Sequence, residues 1–193
     1  MENDRISNEL KNELDSISKI LTMALQCYEF SSHLYSPRTK QEIDLANNSF
    51  FIDFTRHIYW RNLIIELAKL VTDSNNQNFN IFKLLRKLTK SGYFGKLDFE
   101  SIKIKKWQKR LDDEKNIIRE IIDLRNKIYS HTDKKKEQYV NSILTFNDIE
   151  ILIDLLKMII ENIYSDLLDI TIELQPLYTI NKNSKIFHSS LFA

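Results

Sequence analysis

Only two glycines and two prolines punctuate this chain of 193 residues, and that scarcity restricts its fold more than any other feature. Sheet proteins need turn residues every few positions, because tight reversals demand backbone angles that glycine and proline supply. A chain without them must reverse rarely, and 42% hydrophobic side chains supply the apolar faces that long helices bury. The expected fold class is therefore all-α, an antiparallel helical bundle of four long helices plus one short helix. The length suits one domain with a sizeable core and is short for two. No repeat or linker is visible, so residues 1–193 read as a single domain, with a core at about 5–175 and a tail at 176–193.

Apolar spacing places the helices. Ile6, Leu10, Leu14, Ile17, Leu21, Ala24, Leu25 and Tyr28 recur at three- and four-residue intervals, which predicts an amphipathic helix. It should end before Ser36-Pro37, since the residue preceding proline is pushed out of helical geometry. A second helix is predicted from Thr39 to about Val71, roughly 45 Å if unbroken. Asn47-Asn48 mark a candidate break in it, because asparagine is a poor interior helix former. The aromatics from Phe50 to Trp60 mark this helix as central to the core or to an interface. A polar loop, Thr72–Asn78, precedes a short helix from Ile81 to about Lys90. Both glycines, Gly92 and Gly95, follow in a turn where positive φ costs little. The next helix spans about Phe99 to Tyr129 or His131. After a charged loop, Thr145 and Asp148 form a box-like start for the last long helix, with Leu144 and Ile149 placed as a hydrophobic staple. That helix is predicted to run to about Leu174 before Pro176. Tyr178-Thr179-Ile180 and Lys185-Ile186-Phe187 are a candidate short hairpin.

Charge and cysteine content narrow the function. With 28 basic against 27 acidic side chains the formal net charge is +1, which argues against a protein that coats nucleic acid non-specifically. A small, focused RNA site remains compatible. Cys27 is the single cysteine, so no intrachain disulfide and no cysteine-based zinc site is expected. His33, His57, His131 and His188 show no metal-ligand spacing. Neither a signal-peptide pattern nor eighteen unbroken apolar residues occurs. The reading is a cytoplasmic protein with no metal, no cofactor and no membrane partner.

Chemistry concentrates in Arg125-Asn126-Lys127-Ile128-Tyr129-Ser130-His131. Arg125 falls at the edge of the apolar stripe formed by Ile117, Ile118, Ile121, Ile122, Leu124 and Ile128. An arginine there is costly without an anion or carboxylate to face, and Glu66 and Asp73 are candidate partners for it. His131 lies about 9 Å further along if the helix continues. An arginine and a histidine near one point can stabilise a pentacoordinate phosphate and move protons. The same residues also read as a helix end, with Arg125 meeting the macrodipole and His131 capping the last carbonyls.

Leu124-Arg125-Asn126-Lys127-Ile128-Tyr129-Ser130-His131 resembles the signature of the HEPN superfamily: an arginine, a polar residue, a few positions, then histidine. Trp60–Asp73 resembles the long second helix of its abortive-infection branch, followed, as there, by a polar loop and a short leucine-rich helix. The resemblance spans roughly residues 1–175 in architecture and is sharp in 124–133. It implies a helical bundle that forms a homodimer, two copies of the motif lining one cleft. It further implies a metal-independent endoribonuclease acting as a toxin or phage-defence effector, with an antitoxin or other protein as a further partner. Carried over by position, Arg125 would stabilise the scissile phosphate and His131 would act on the 2′-hydroxyl or leaving oxygen. Asn126 would orient the phosphate or the histidine, and Lys127, Tyr129 and Asp133 are candidate substrate contacts. The spacing departs by one residue from the commoner form, with five residues between Arg125 and His131. Asp133 stands where members silenced by tyrosine modification carry tyrosine. The alternative is a non-catalytic helical module binding a nucleotide, an RNA or a protein.

Three further sets carry weaker signals. Lys103, Lys105, Lys106, Lys109 and Arg110, interleaved with Trp107, could track an RNA backbone, or be a solvated helix face. Lys83, Arg86, Lys87 and Lys90 offer the same choice. Arg56-His57 is a candidate second site, or else contains a satisfied core or interface histidine.

Overall fold

Helix α1, Glu2–Tyr35, is the spine of the molecule. Ile6, Leu10, Leu14, Ile17 and Leu21 form a continuous buried row along it. Burying each such side chain favours the fold by roughly 1.5–3 kcal/mol. The computed structural model describes residues 2–74, 76–126 and 144–179. Among these are six further helices: α2 (Lys40–Asn48), α3 (Phe50–Val71), α4 (Ile81–Leu88), α5 (Ser101–Asp113), α6 (Lys115–Leu124) and α7 (Phe146–Leu168). No strand occurs among the described residues.

Tertiary pairs fix the directions. Phe30 meets Tyr59 at 4.9 Å between ring centroids, and the Arg56 guanidinium lies 5.1 Å over the Tyr35 ring, so α3 runs back along α1. Phe146 touches Tyr28, Tyr35 and Trp60 at the start of α7. Near the other end of α7, the Tyr164 hydroxyl donates to Asp15 Oδ1 at 2.6 Å. Helix α7 is therefore also antiparallel to α1. Burial, then the Asp15 hydrogen bond, pushes the Tyr164 phenol up to about 12. Lys103 meets Asp166 at 3.0 Å, so α5 starts where α7 ends. The chain returns through α6, which packs chiefly on α3. Leu63, Ile64 and Leu67 of α3, Ile121 of α6 and Leu152, Leu156 and Ile160 of α7 share one core cluster with α1.

Most boundaries match the spacing, the candidate break at Asn47-Asn48 among them, with three informative differences. The long second helix breaks after Asn48, where Ser49 turns extended and its side chain accepts from Ile52 N–H to start α3. The helix predicted from Phe99 begins at Ser101 and is interrupted at Glu114 (φ −90°, ψ 12°), giving two helices. Neither glycine takes positive φ. Glycine is needed there because a Cβ on Gly92 would collide with the Arg86 and Lys87 carbonyl oxygens, and one on Gly95 with that of Lys90. Last, α7 stops at Leu168, not Leu174: Asp169 enters the left-handed region (φ 54°, ψ 35°). Beyond it Ile170 and Ile172 are half-buried and Leu174 buried, while Thr171 and Glu173 are exposed. That is the period of two of extended chain. Leu174 N–H donates to Glu161 Oε1 at 2.8 Å, and Gln26 binds both backbone groups of Tyr178, at 2.7 and 2.9 Å. The second arm of the candidate hairpin lies outside the described residues.

Capping follows expectation at α7. Thr145 Oγ1 accepts from Asp148 N–H at 3.2 Å and Asp148 Oδ2 accepts from Thr145 N–H at 2.9 Å. Fully buried Asn80 caps α4 by accepting from Lys83 N–H at 2.9 Å. The aromatic stretch of α3 is divided: Phe50, Phe51 and Phe54 are exposed, while Tyr59 and Trp60 pack against the core. No helix among the described residues is long and apolar enough to cross a membrane.

Candidate active site at the end of α6

Ile118, Ile121 and Leu124 drive α6 onto its neighbours, and Arg125, four residues after Ile121 and seven after Ile118, falls at the rim of that buried face. Arg125 keeps helical angles (φ −57°, ψ −48°), its N–H shared between the Ile121 and Ile122 carbonyls. At Arg125 and Asn126 the backbone widens to π geometry, a local distortion frequent at functional sites. Both side chains are half-buried.

Arg125 Nη1 donates to Asn126 Oδ1 at 2.7 Å. No carboxylate pairs with Arg125 among the described residues. The two carboxylates expected as partners are engaged elsewhere: Asp73 takes Arg86 in a two-pronged pair at 2.7 and 2.8 Å, and Glu66 takes Lys69 at 2.6 Å. A neutral amide thus orients the guanidinium without cancelling its charge. Such a group is suited to an incoming anion, since a planar fork matches phosphate oxygens.

Of the sequence candidates, Arg125 and Asn126 come together here. Lys127, Tyr129, His131 and Asp133 lie outside the described residues. Trp107 is buried and stacked on Phe99, with centroids 5.5 Å apart, so it offers no platform to a base. Lys103 is held by Asp166 and Glu100. Lys105, Lys106, Lys109 and Arg110 are exposed. On α4, Lys83 donates to the Gln77 carbonyl, Arg86 binds Asp73 and Lys87 binds Glu13. Those three are tied down by the fold. Arg56 pairs with Asp53 at 2.6 Å, and His57 is exposed, so it is not a core histidine. Burial pushes the Cys27 thiol up to about 11, with Glu66 adding to it; that leaves no useful thiolate at neutral pH. Among the described residues no three metal-ligating side chains converge.

One feature of this region escaped the sequence reading. An open groove of about 380 Å³ runs between α4, α5 and α6, with Phe82, Leu111, Ile118 and Ile122 as its apolar lining and Gln108, Asp112, Lys115 and Arg119 at its polar edge. The helical rows 115-119-122-126 and 118-122-125 were available as a signal, because they carry one face of α6 directly into the Arg125–Asn126 pair.

A family model described as HEPN_AbiU2 matches residues 7–185. The chain belongs to this HEPN-type abortive-infection family. The all-helical architecture agrees with that membership. Comparison with curated proteins and with solved structures gives no match.

Proposed function

We propose that this HEPN-family protein is an endoribonuclease that needs no metal and serves as a toxin or phage-defence effector. Cleavage proceeds by attack of a 2′-hydroxyl oxygen on the adjacent phosphorus as the bond to the 5′ oxygen breaks. The 2′ proton passes to a base, the departing oxygen gains a proton, and the products are a 2′,3′-cyclic phosphate and a 5′-hydroxyl. Arg125 stabilises the charge that develops on the phosphoryl oxygens. His131 moves the protons. Asn126 holds Arg125 in its working orientation. Two copies of the chain contribute their motifs to one cleft.

The observation that carries this reading is the half-buried Arg125 guanidinium, aligned by an amide and matched with no carboxylate among the described residues. Family membership supplies independent support. The test incubates the purified chain with total RNA beside Arg125→Ala and His131→Ala proteins and reads the fragment ends. Loss of cleavage in both variants, with cyclic phosphate termini in the parent, is the expected result. Undiminished cleavage in both would exclude this site. Intact RNA with every protein would favour a non-catalytic module.

A further inference from the structure

Resting on that reading, we propose that the groove between α4, α5 and α6 is a nucleotide subsite, holding a substrate residue next to the scissile phosphate. The location comes first. Ile122 lines the groove, and Arg125 and Asn126 follow it by three and four residues on the same face of α6. Those neighbours lie about 5–6 Å apart at Cβ. Arg119 on the groove edge is six residues from Arg125, about 9 Å along the helix. A strand with its reacting phosphate on Arg125 would lay an adjacent nucleotide into the groove.

Size and chemistry agree with such an occupant. At about 380 Å³, the groove falls in the lower part of the range for small-ligand clefts, about 300–1,000 Å³. Phe82, Leu111, Ile118 and Ile122 give a base the apolar and aromatic contact that stacking requires. Lys115 and Arg119 are exposed on its edge, one helical turn apart, and no carboxylate pairs with either among the described residues. That leaves both cations for a phosphate. Asp112 is the opposing charge on the same edge. A carboxylate there repels phosphate but accepts well from an exocyclic amino group, so Asp112, with the Gln108 amide, is placed to read the edge of the base. The subsite should therefore favour an amino-bearing base over uracil.

The experiment measures binding of a short fluorescein-labelled single-stranded RNA to full-length protein carrying Arg125→Ala, so that the probe stays whole. Adding the pair Lys115→Glu and Arg119→Glu should weaken binding about tenfold, as expected for two lost phosphate contacts. In protein with Arg125 intact, the same pair should raise KM and leave kcat near the parent value. Gln108→Trp, a steric block grown from an exposed position, should act in the same direction. Lys105→Glu with Lys109→Glu, exposed on α5 outside the groove, should have a clearly smaller effect. Equal weakening by that control pair would overturn the subsite, because attraction would then be spread over the surface. Unchanged binding and KM in the groove variants would also overturn it, and a change of oligomeric state without loss of RNA binding would assign the groove to a protein contact. None of these outcomes touches the role of Arg125, which stands or falls on cleavage by Arg125→Ala protein.

Discussion

Helices α4 and α6 are built on the same plan and put their cations to different use. Each is short, and each sets basic residues beside an apolar stripe. On α4, Arg86 and Lys87 close ion pairs with Asp73 and Glu13, and Lys83 binds the Gln77 carbonyl. These bonds reach 6 to 74 residues along the sequence, so α4 cations stitch separate segments together. On α6 and its extension, Lys115, Arg119 and Arg125 have no carboxylate partner among the described residues, and Arg125 rests on an amide. A cation that has spent its charge on the fold has little left for a ligand. The contrast separates structural cations from those available for binding, and charge content alone would have grouped them.

The sharpest way to break this contrast is a reciprocal pair of substitutions. Arg125→Ala should lower the cleavage rate by about 10²–10³-fold, the usual cost of a lost transition-state donor, while the melting temperature stays within about a degree or two. Lys87→Ala should do the opposite. The Glu13 side chain is only 11% exposed, and its Oε1 has no hydrogen-bond partner among the described residues. Removing Lys87 leaves that carboxylate unmatched, at a cost of about 1–3 kcal/mol, visible as several degrees in thermal melting with cleavage retained. If Lys87→Ala abolished cleavage in folded protein, or Arg125→Ala melted the fold, the division would be wrong.

A finer probe converts one kind of cation into the other. Asn126→Asp keeps an oxygen acceptor beside Arg125 but adds a charge, so Arg125 would become a paired arginine like Arg86. Cleavage should fall about tenfold, as the guanidinium loses on the order of 1 kcal/mol of its pull on phosphate. Stability should hold or rise slightly. Asn126→Ala should also reduce cleavage, through lost alignment, and the two variants differ in salt dependence. Activity in Asn126→Asp should recover partly at high ionic strength, where the new pair is screened. Full activity in both would remove Asn126 from the site.

How much of this was legible follows from which physical signals are local. The Thr145–Asp148 box, the break after Asn48 and the burial of Ile6 to Leu21 all arise from neighbours within a few residues, and the spacing contained them. The interruption at Glu114 was not visible, since Ile104, Trp107, Leu111, Ile118 and Ile121 keep one stripe across it. The end of α7 was legible in principle. Ile170, Ile172 and Leu174 alternate with Thr171 and Glu173, but read as a helix they still offered an apolar tail. At the site, the position of Arg125 on the rim of the stripe followed from helical phase. Its freedom from Asp73 and Glu66 did not, because that depends on Arg86 and Lys69 having claimed those carboxylates. Competition among distant partners has no signature in spacing.

The weakest expected effect tests the structural side of the contrast at its most exposed pair. Asp73 and Arg86 are about half exposed, at 47% and 52%, so solvent screens them and removing the pair should cost about 0.2–1 kcal/mol. The Arg86 hydrogen bond holds the Asp73 carboxyl below its ordinary value of 3.8, and Arg86 is raised in turn. A carboxylate lowered by folding contributes stability that is complete above its unfolded value and is lost as pH falls through the lowered one. Asp73→Asn should therefore be slightly less stable than the parent at neutral pH, and the two should converge as pH drops below about 4. Their difference should also shrink with added salt at pH 7. Cleavage should match the parent throughout the neutral range, because Arg86 is not among the side chains that line the groove. A gain in RNA binding on freeing Arg86 would show that any unpaired cation on this surface recruits RNA, and the distinction between α4 and α6 would then rest on position alone.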